Sequence, residues 1–585
     1  MTTSAHILNP LADTEASVTE TRADVKVWAI TCLVVAAIFL LLENPYWVPG
    51  GDSEVYLGSA INLAKGTGYL FNGQPTKIAP PGWPFVLAFV LKFVSPTFLA
   101  LKLVTLGCMT GALATFYWVL RRFASPATCS LLIVLSALVS HVYSLTFWLH
   151  SDALFTLITA LTILLSLQIN EGRAEVWRIA LLLVLVAAGI GVRYAGIINV
   201  VLLAPALVHG QWKPKLDRTW VTSVLVVAMT IGSFFAIRWA VHKFAPARVA
   251  FEATAQVDSA VIPPPDQGEG STVTNEPSII TGTAGHSSYA TRVLGYGTWY
   301  SYLLWQPLRL GAGIHAIFWL ATALGWIVYI FVAACAADAV RSRQWLLPMV
   351  VLYTIALCLN WPHANARYLV PLVPLILLMI VRGSAILQTI ARRRWQQLTW
   401  RSLATVGLAS VVICNAALYA VDVSVMRSHH FYDRYEAGTY KSLIAAAQYL
   451  RDANIGNWQT CVNVEYKNLN KRRMSDTSLR ILSMLTGKAM LKLPKEYTKL
   501  NLPRDREFRT KIINRNHVSY YLEQPPIEPW RVWHFRMGWL ERRVTGEAPK
   551  DTGCEWTLYR CNGSEVPVQV PLPEVKLFPT RVPGF

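Results

Sequence analysis

Residues 131–165 read LLIVLSALVSHVYSLTFWLHSDALFTLITALTILL, two apolar runs joined by Trp148-Leu-His150-Ser-Asp152. With their flanks, the runs cover 127–148 and 153–169, close to the roughly 20 residues a helix needs to cross a ~30 Å hydrocarbon core. An ionisable pair at the edge of two spans is costly and marks a functional candidate. Working outward, apolar runs at 27–42, 99–119, 179–192, 195–208, 219–237, 314–334, 345–360, 367–381 and 402–421 bring the expected total to about eleven spans. The fold class expected is therefore a polytopic α-helical membrane protein.

Composition agrees. Of 585 residues, 54% are apolar and 15% charged, where a soluble protein carries about a quarter charged; the mean hydropathy is +0.37. A disordered chain, a soluble enzyme and, with 9 Cys, a disulfide scaffold are excluded. The net charge of +19 would suggest nucleic acid in a soluble protein. In a membrane protein, basic residues in short loops instead set orientation. Arg121–Arg122, Arg173 with Arg178, Lys213 to Arg218, Arg341 with Arg343, and Arg382 to Arg401 fall in alternate loops, on one side. That side is read as cytoplasmic, and with it the N-terminus. The expected organisation is a cytoplasmic segment 1–26, a transmembrane module 27–421, and an extracytoplasmic soluble α/β domain 422–585, in a multi-pass protein of a plasma or inner membrane. The segment before the first span lacks the basic start of a cleavable signal, so that span reads as retained.

Outer loops are expected at 43–98, with amphipathic helices, and at 243–313. The second carries no Lys or Arg between Arg248 and Arg292 and is rich in Gly, Ser, Thr and Pro, so it reads as mobile up to about Ser288. In the tail, helical periodicity at 436–453 and 478–493 alternates with strand-like runs at 460–466, 518–522 and 556–559. Cys554 and Cys561 bracket one strand, too far apart to bond, which leaves Cys461 with either as the more plausible pair. Residues 467–515 hold 14 Lys or Arg against 4 acidic residues. They read either as a solvated face or as a surface for anionic headgroups or an acidic acceptor.

The outer ends of the spans gather Asp52, Glu54, His150, Asp152, Arg193, Arg238, His242, His363 and Arg367. Each has a plainer reading: Asp52 and Asp152 as helix caps, the histidines as edge hydrogen-bonding groups, the arginines as ion-pair partners or cations reaching for headgroups. Glu54 reads as exposed. No His-x-x-x-His spacing supports a metal, and no Walker loop or dinucleotide fingerprint is present.

Taken together, the pattern resembles a known family. Gly51-Asp52-Ser-Glu54-Val-Tyr56, Gly66-x-Gly68-Tyr69, Lys77-x-x-Pro80-Pro81-Gly82-Trp-Pro84, His150-Ser-Asp152-Ala-Leu-Phe155, Gly191-Val-Arg193-Tyr194 and Arg367-Tyr368-Leu-Val-Pro371 occur in this order. They resemble motifs of the GT-C glycosyltransferases, in the branch of protein O-mannosyltransferases and lipid A aminoarabinose transferases. The resemblance implies transfer of a sugar from a polyprenyl-phosphate carrier to a lipid, protein or glycan acceptor outside the cytoplasm. Asp52 would be catalytic and Asp152 its support, with Glu54, Tyr56, Lys77, His150, Arg193, Arg367 and Tyr368 binding substrate. Neither metal nor cofactor is implied; the partners are the lipid-linked sugar and membrane lipids, and nucleic acid is not among them. Two departures stand out: Ser53 follows Asp52 where relatives carry a second acid, so that Glu54, one residue later, either takes its place or is exposed, and Lys77 lies three residues before Pro-Pro. The alternative is a transporter or flippase of a lipid-linked saccharide, although no internal repeat or mid-span charge supports it.

Overall fold

The computed structural model describes residues 22–204 (except 51, 77, 78 and 174), 303–304, 315–341, a few positions between 350 and 358, 366–392, 400–428, 431–434, 439–464 (except 458), 475–492, 518–524, 557–561, 568–573 and 579–583. Five helices or helical runs in it are long and apolar enough to cross a membrane: Arg22–Leu40, Phe98–Leu120, Asp152–Asn170, Arg367–Ile390 and Ser402–Met426. The chain is a helical, multi-pass membrane protein. The expected spans 219–237 and most of 345–360, and the loop 243–313 apart from two residues, lie outside the described residues.

Helix α1 (Arg22–Leu40) keeps its one internal hydroxyl satisfied, Thr31 Oγ1 donating to Val27 O at 2.7 Å. Helix α2 (Ser53–Ala64) departs from expectation. It does not lie along a surface with one wet face; every residue from Ser53 to Ile61 is buried. It is covered by α3 (Gly82–Phe93) on one side and by a helix of the C-terminal region on the other. Between α2 and α3 runs the hairpin β1 (Leu70–Phe71) and β2 (Gln74–Pro75), turned by Asn72 and Gly73 at φ 49° and 73°. Two successive positive φ values are what a type I′ hairpin turn requires, hence Asn-Gly.

The Pro80-Pro81-Gly82 motif has a steric meaning. A Cβ on Gly82 would stand 2.7 Å from the Gly191 carbonyl oxygen. Only glycine lets the start of α3 press against the end of the helix that Arg193 follows.

Helices α4 (Phe98–Leu120) and α7 (Asp152–Asn170) pack closely together. The expected single span 127–148 is instead two helices, α5 (Pro126–Leu138) and α6 (Ser140–Phe147), bent by 64°. Val139 between them is extended, and the Ser140 amide donates to Asn415 Oδ1 at 3.0 Å. A side chain from a remote helix takes a donor that would otherwise continue the ladder, a recognised cause of kinks. Helix α8 (Val176–Val192) is followed by a 3₁₀ helix, Tyr194–Leu203, so the expected α-helical span 195–208 is also corrected. A Cβ on Gly196 would collide with the Gly189 backbone, which places the tight turn at Arg193. Helix α9 (His315–Arg341) packs on α10 (Val373–Arg392), which follows a 3₁₀ segment, Ala366–Leu372; α11 (Trp400–Met426) completes the bundle among the described residues.

After the short α12 (Phe431–Arg434) come α13 (Thr439–Asp452), β3 (Thr460–Val464), α14 (Ser475–Thr486), β4 (Leu491–Lys492), β5 (Tyr520–Gln524), β6 (Thr557–Arg560) and β7 (Val568–Val570). The strands form one sheet in the order β4-β3-β5-β6-β7, with β4, β3 and β5 parallel and β6 and β7 antiparallel. Cys561 is a free thiol, so a Cys461–Cys561 bond is not formed; Cys554 lies outside the described residues.

This region is tied to the bundle by backbone and side-chain hydrogen bonds. Asn72 and Met490 exchange hydrogen bonds, Met490 N to Asn72 Oδ1 at 2.7 Å and Asn72 Nδ2 to Met490 O at 3.2 Å. At the C-terminal end, the Val582 amide donates to Pro96 O at 2.9 Å and the Phe98 amide to Thr580 O at 3.1 Å.

Candidate active site

Asp52 occupies the N-cap position of α2, yet its side chain makes no capping hydrogen bond. The plain cap reading therefore fails. Glu54 satisfies this turn instead, accepting from the Gly50 amide at 3.1 Å and from Ser53 Oγ at 3.2 Å. That leaves Asp52 free to point at cations: Arg367 Nη2 lies 2.7 Å from its Oδ2, and Arg480 Nη1 lies 3.6 Å from its Oδ1. Burial would raise the Asp52 pKa, but the charges of Arg367 and Arg480 outweigh it and hold the carboxyl well below the usual carboxylate range.

Asp152 opens α7 without capping it. Its Oδ1 forms an ion pair with Arg193, and its Oδ2 stands 3.9 Å from His150 Nδ1. Arg193 leaves the end of α8, its guanidinium 5.5 Å from the ring of Tyr368 and 6.0 Å from that of Phe155. Arg367 lies over the same Tyr368 ring at 5.7 Å. One aromatic ring thus contacts both guanidiniums while each keeps its own aspartate.

His150 links the two pairs. Its Nε2 is 2.7 Å from Gly50 O, which can only accept, and its Nδ1 accepts from Arg367 Nη1 at 3.3 Å. Both contacts require the neutral ring with the proton on Nε2. Burial, followed by the nearby Arg367 charge, pulls its pKa down to about 4 in agreement. Tyr56 OH accepts from Ser151 Oγ at 2.9 Å, tying α2 to the turn before α7, and burial raises its pKa to about 12.

Glu54 corrects the sequence reading: it is 0% exposed, not a surface acid. Burial pushes its pKa up to about 7, and its Oε2 has no hydrogen-bond partner. It is a structural neighbour of the site with a proton affinity near neutrality.

The described residues thus bring together Asp52, Glu54, Tyr56, His150, Asp152, Arg193, Arg367 and Tyr368 at one end of the bundle. Lys77, Arg238, His242 and His363 lie outside the described residues. Sequence reasoning missed Arg480, which it counted among the charges of the basic stretch 467–515. Residues 467–474 and 493–515 of that stretch lie outside the described residues. Arg480, from α14, is instead buried against the site. No local pattern announces this, because its partner comes from the far end of the chain.

Among the described residues three guanidiniums face two aspartates, with the buried acid Glu54 beside them, so with Glu54 protonated one positive charge is left over in a largely dry place. Such a site can hold an anion and can place one carboxylate, Asp52, with 28% of its side chain exposed, against a polar reactant.

No family model matches the chain, and no curated protein matches it. Among solved structures it is similar to ArnT from Cupriavidus metallidurans in the apo state, at 12% identity and TM-score 0.45, over 91% of this chain and 97% of that one. The same ArnT bound to undecaprenyl phosphate gives 11% identity and TM-score 0.44 over the same shares. The apo oligosaccharyltransferase of Archaeoglobus fulgidus gives 11% and 0.48, over 86% of this chain and 69% of that one. At TM-scores below 0.5 these likenesses carry no weight for function, which rests on the residues of the site.

Proposed function

We propose that the chain is an integral-membrane glycosyltransferase that moves a sugar from a polyprenyl-phosphate carrier to a lipid, protein or glycan acceptor on the extracytoplasmic side. The observation that carries this reading is the partly open Asp52 carboxylate between Arg367 and Arg480, beside the Asp152–Arg193 pair. Asp52 is ionised and so able to accept a proton. In the reaction, the acceptor oxygen forms a bond to the anomeric carbon on the face opposite the phosphate, so configuration inverts. The bond from that carbon to the phosphate oxygen breaks, and its electron pair leaves with the phosphate. The acceptor proton goes to Asp52, a task for one positioned carboxylate. The leaving phosphate is already a good anion, so guanidiniums can do what a metal ion would otherwise do. In this reading residues 27–421 form the catalytic module, 1–26 a cytoplasmic segment and 422–585 an extracytoplasmic soluble domain.

Asp152 positions Arg193, and His150 positions Arg367 by receiving its second nitrogen. Tyr368 offers its ring to both cations. The experiment is a transfer assay on the purified chain with polyprenyl-phosphate sugars and Asp52→Asn as the variant, alongside mass spectrometry of co-purifying lipids. A glycosidic product that disappears with Asp52→Asn supports the reading. Directional movement of the lipid-linked sugar without any glycosidic product would favour a flippase.

A further inference from the structure

Arg480 is out of place for a residue of a basic surface stretch. It sits on α14, its side chain 11% exposed, with its Nη1 3.6 Å from Asp52 Oδ1. That is beyond hydrogen-bond reach, whereas Arg367 grips the same carboxylate at 2.7 Å. Helix α14 is held against α2 close by: a Cβ on Gly58 would meet Phe71 and, at 3.8 Å, Met484 Cβ, while Asn72 and Met490 are hydrogen-bonded. The guanidinium is therefore placed firmly but paired loosely. Among the described residues Asp152 already has Arg193 and Asp52 already has Arg367, so with Glu54 protonated Arg480 is the surplus cation. An unmatched charge removed from water is expensive, and a site that keeps one is arranged for an anion.

We propose that Arg480 belongs to the donor's phosphate subsite, so that the C-terminal α/β region completes the active site with a charge of its own. The inference rests on the glycosyl-transfer reading above. Before the donor arrives, Arg367 and Arg480 hold Asp52; on binding, they turn to the phosphate oxygens and release the carboxylate to act as base. The charges match at both stages. A sugar phosphodiester carries one negative charge, against the single surplus positive charge that the described residues leave when Glu54 is protonated. When the bond from the anomeric carbon to the phosphate oxygen breaks, the phosphate gains a second negative charge. The acceptor proton simultaneously neutralises Asp52, which raises the surplus to two. Stabilisation thus grows along the reaction coordinate, which is what accelerates a chemical step.

The test is binding of undecaprenyl phosphate and of uncharged undecaprenol to the full-length protein in detergent, read as the ratio of the two affinities. The wild type is expected to prefer the phosphate. Arg480→Gln is expected to lower that preference roughly 10–100-fold, the range for one charge-assisted contact, and Arg480→Lys to recover part of it. A structural role alone would weaken both ligands equally and leave the ratio unchanged. An unchanged ratio in a folded Arg480→Gln protein overturns the inference and leaves the donor reading standing. No phosphate preference in the wild type overturns the donor reading itself.

Discussion

Two of the buried ionic clusters among the described residues are built to opposite ends. In the first, Lys102 of α4 pairs with Glu43 at 3.3 Å and donates to Asn44 Oδ1 at 2.8 Å, with lysine and carboxylate side chains 1% and 4% exposed. Asn44 in turn donates to Met426 O at 3.3 Å. One cation meets one anion, sealed, and the result fastens the end of α1 to α4 and α11. In the second, three guanidiniums among the described residues meet two aspartates, and Asp52 keeps an open side. Balance and closure make a fastener; surplus charge and access make a site. Buried charge alone therefore says little about function, whereas the count and the opening say a great deal.

The comparison can be broken most directly at Asp52. Asp52→Asn is expected to lower the transfer rate about 10³-fold and, because it leaves Arg367 and Arg480 without their carboxylate, to lower the melting temperature as well; full turnover by the folded variant would end its assignment as base. At the fastener the loss is in stability alone. Lys102→Met leaves Glu43 unmatched and is expected to cost about 3–5 kcal/mol, measured by thermal unfolding in detergent, while the phosphate-to-alcohol binding ratio of folded protein stays unchanged. Adding Glu43→Gln to it should restore much of the loss, because removing both charges is far cheaper than removing one.

A smaller effect concerns Glu54, whose pKa burial raises from the ordinary 4.5 to about 7. The folded state prefers the protonated acid, so Glu54 favours folding most below pH 4.5 and loses that contribution as pH rises through about 7. Glu54→Gln should thus gain stability relative to wild type between pH 5 and 8, by on the order of 3 kcal/mol at most. A pH-independent difference in melting temperature would show that Glu54 is ionised throughout. Smallest of all is the response to chelation. If arginines carry the phosphate charge, EDTA should leave the transfer rate unchanged, and loss of activity restored by a divalent ion would assign that work to a metal.

The candidate site was partly legible before any coordinates. Asp52, His150, Asp152, Arg193 and Arg367 stand out because ionisable residues at the ends of apolar runs are rare and costly. The burial of Glu54 is not legible in the sequence, because nothing local shows that helices from two other parts of the chain cover α2. Arg480 was merged into a charge total because a local window cannot show which arginine of many a remote carboxylate will meet. Similarly, the run 127–148 has the composition of one span, and only Asn415, from another helix, breaks it after Val139.

The sequence by itself determined that this is a helical membrane protein with acidic residues at the edges of its spans. Apolar length and charge position are local properties, and the bilayer reads them locally. Tertiary structure alone decided which charges meet, which stay in surplus and where a helix bends. Those outcomes depend on contacts between segments hundreds of residues apart, where a few ångströms separate a fastener from a site.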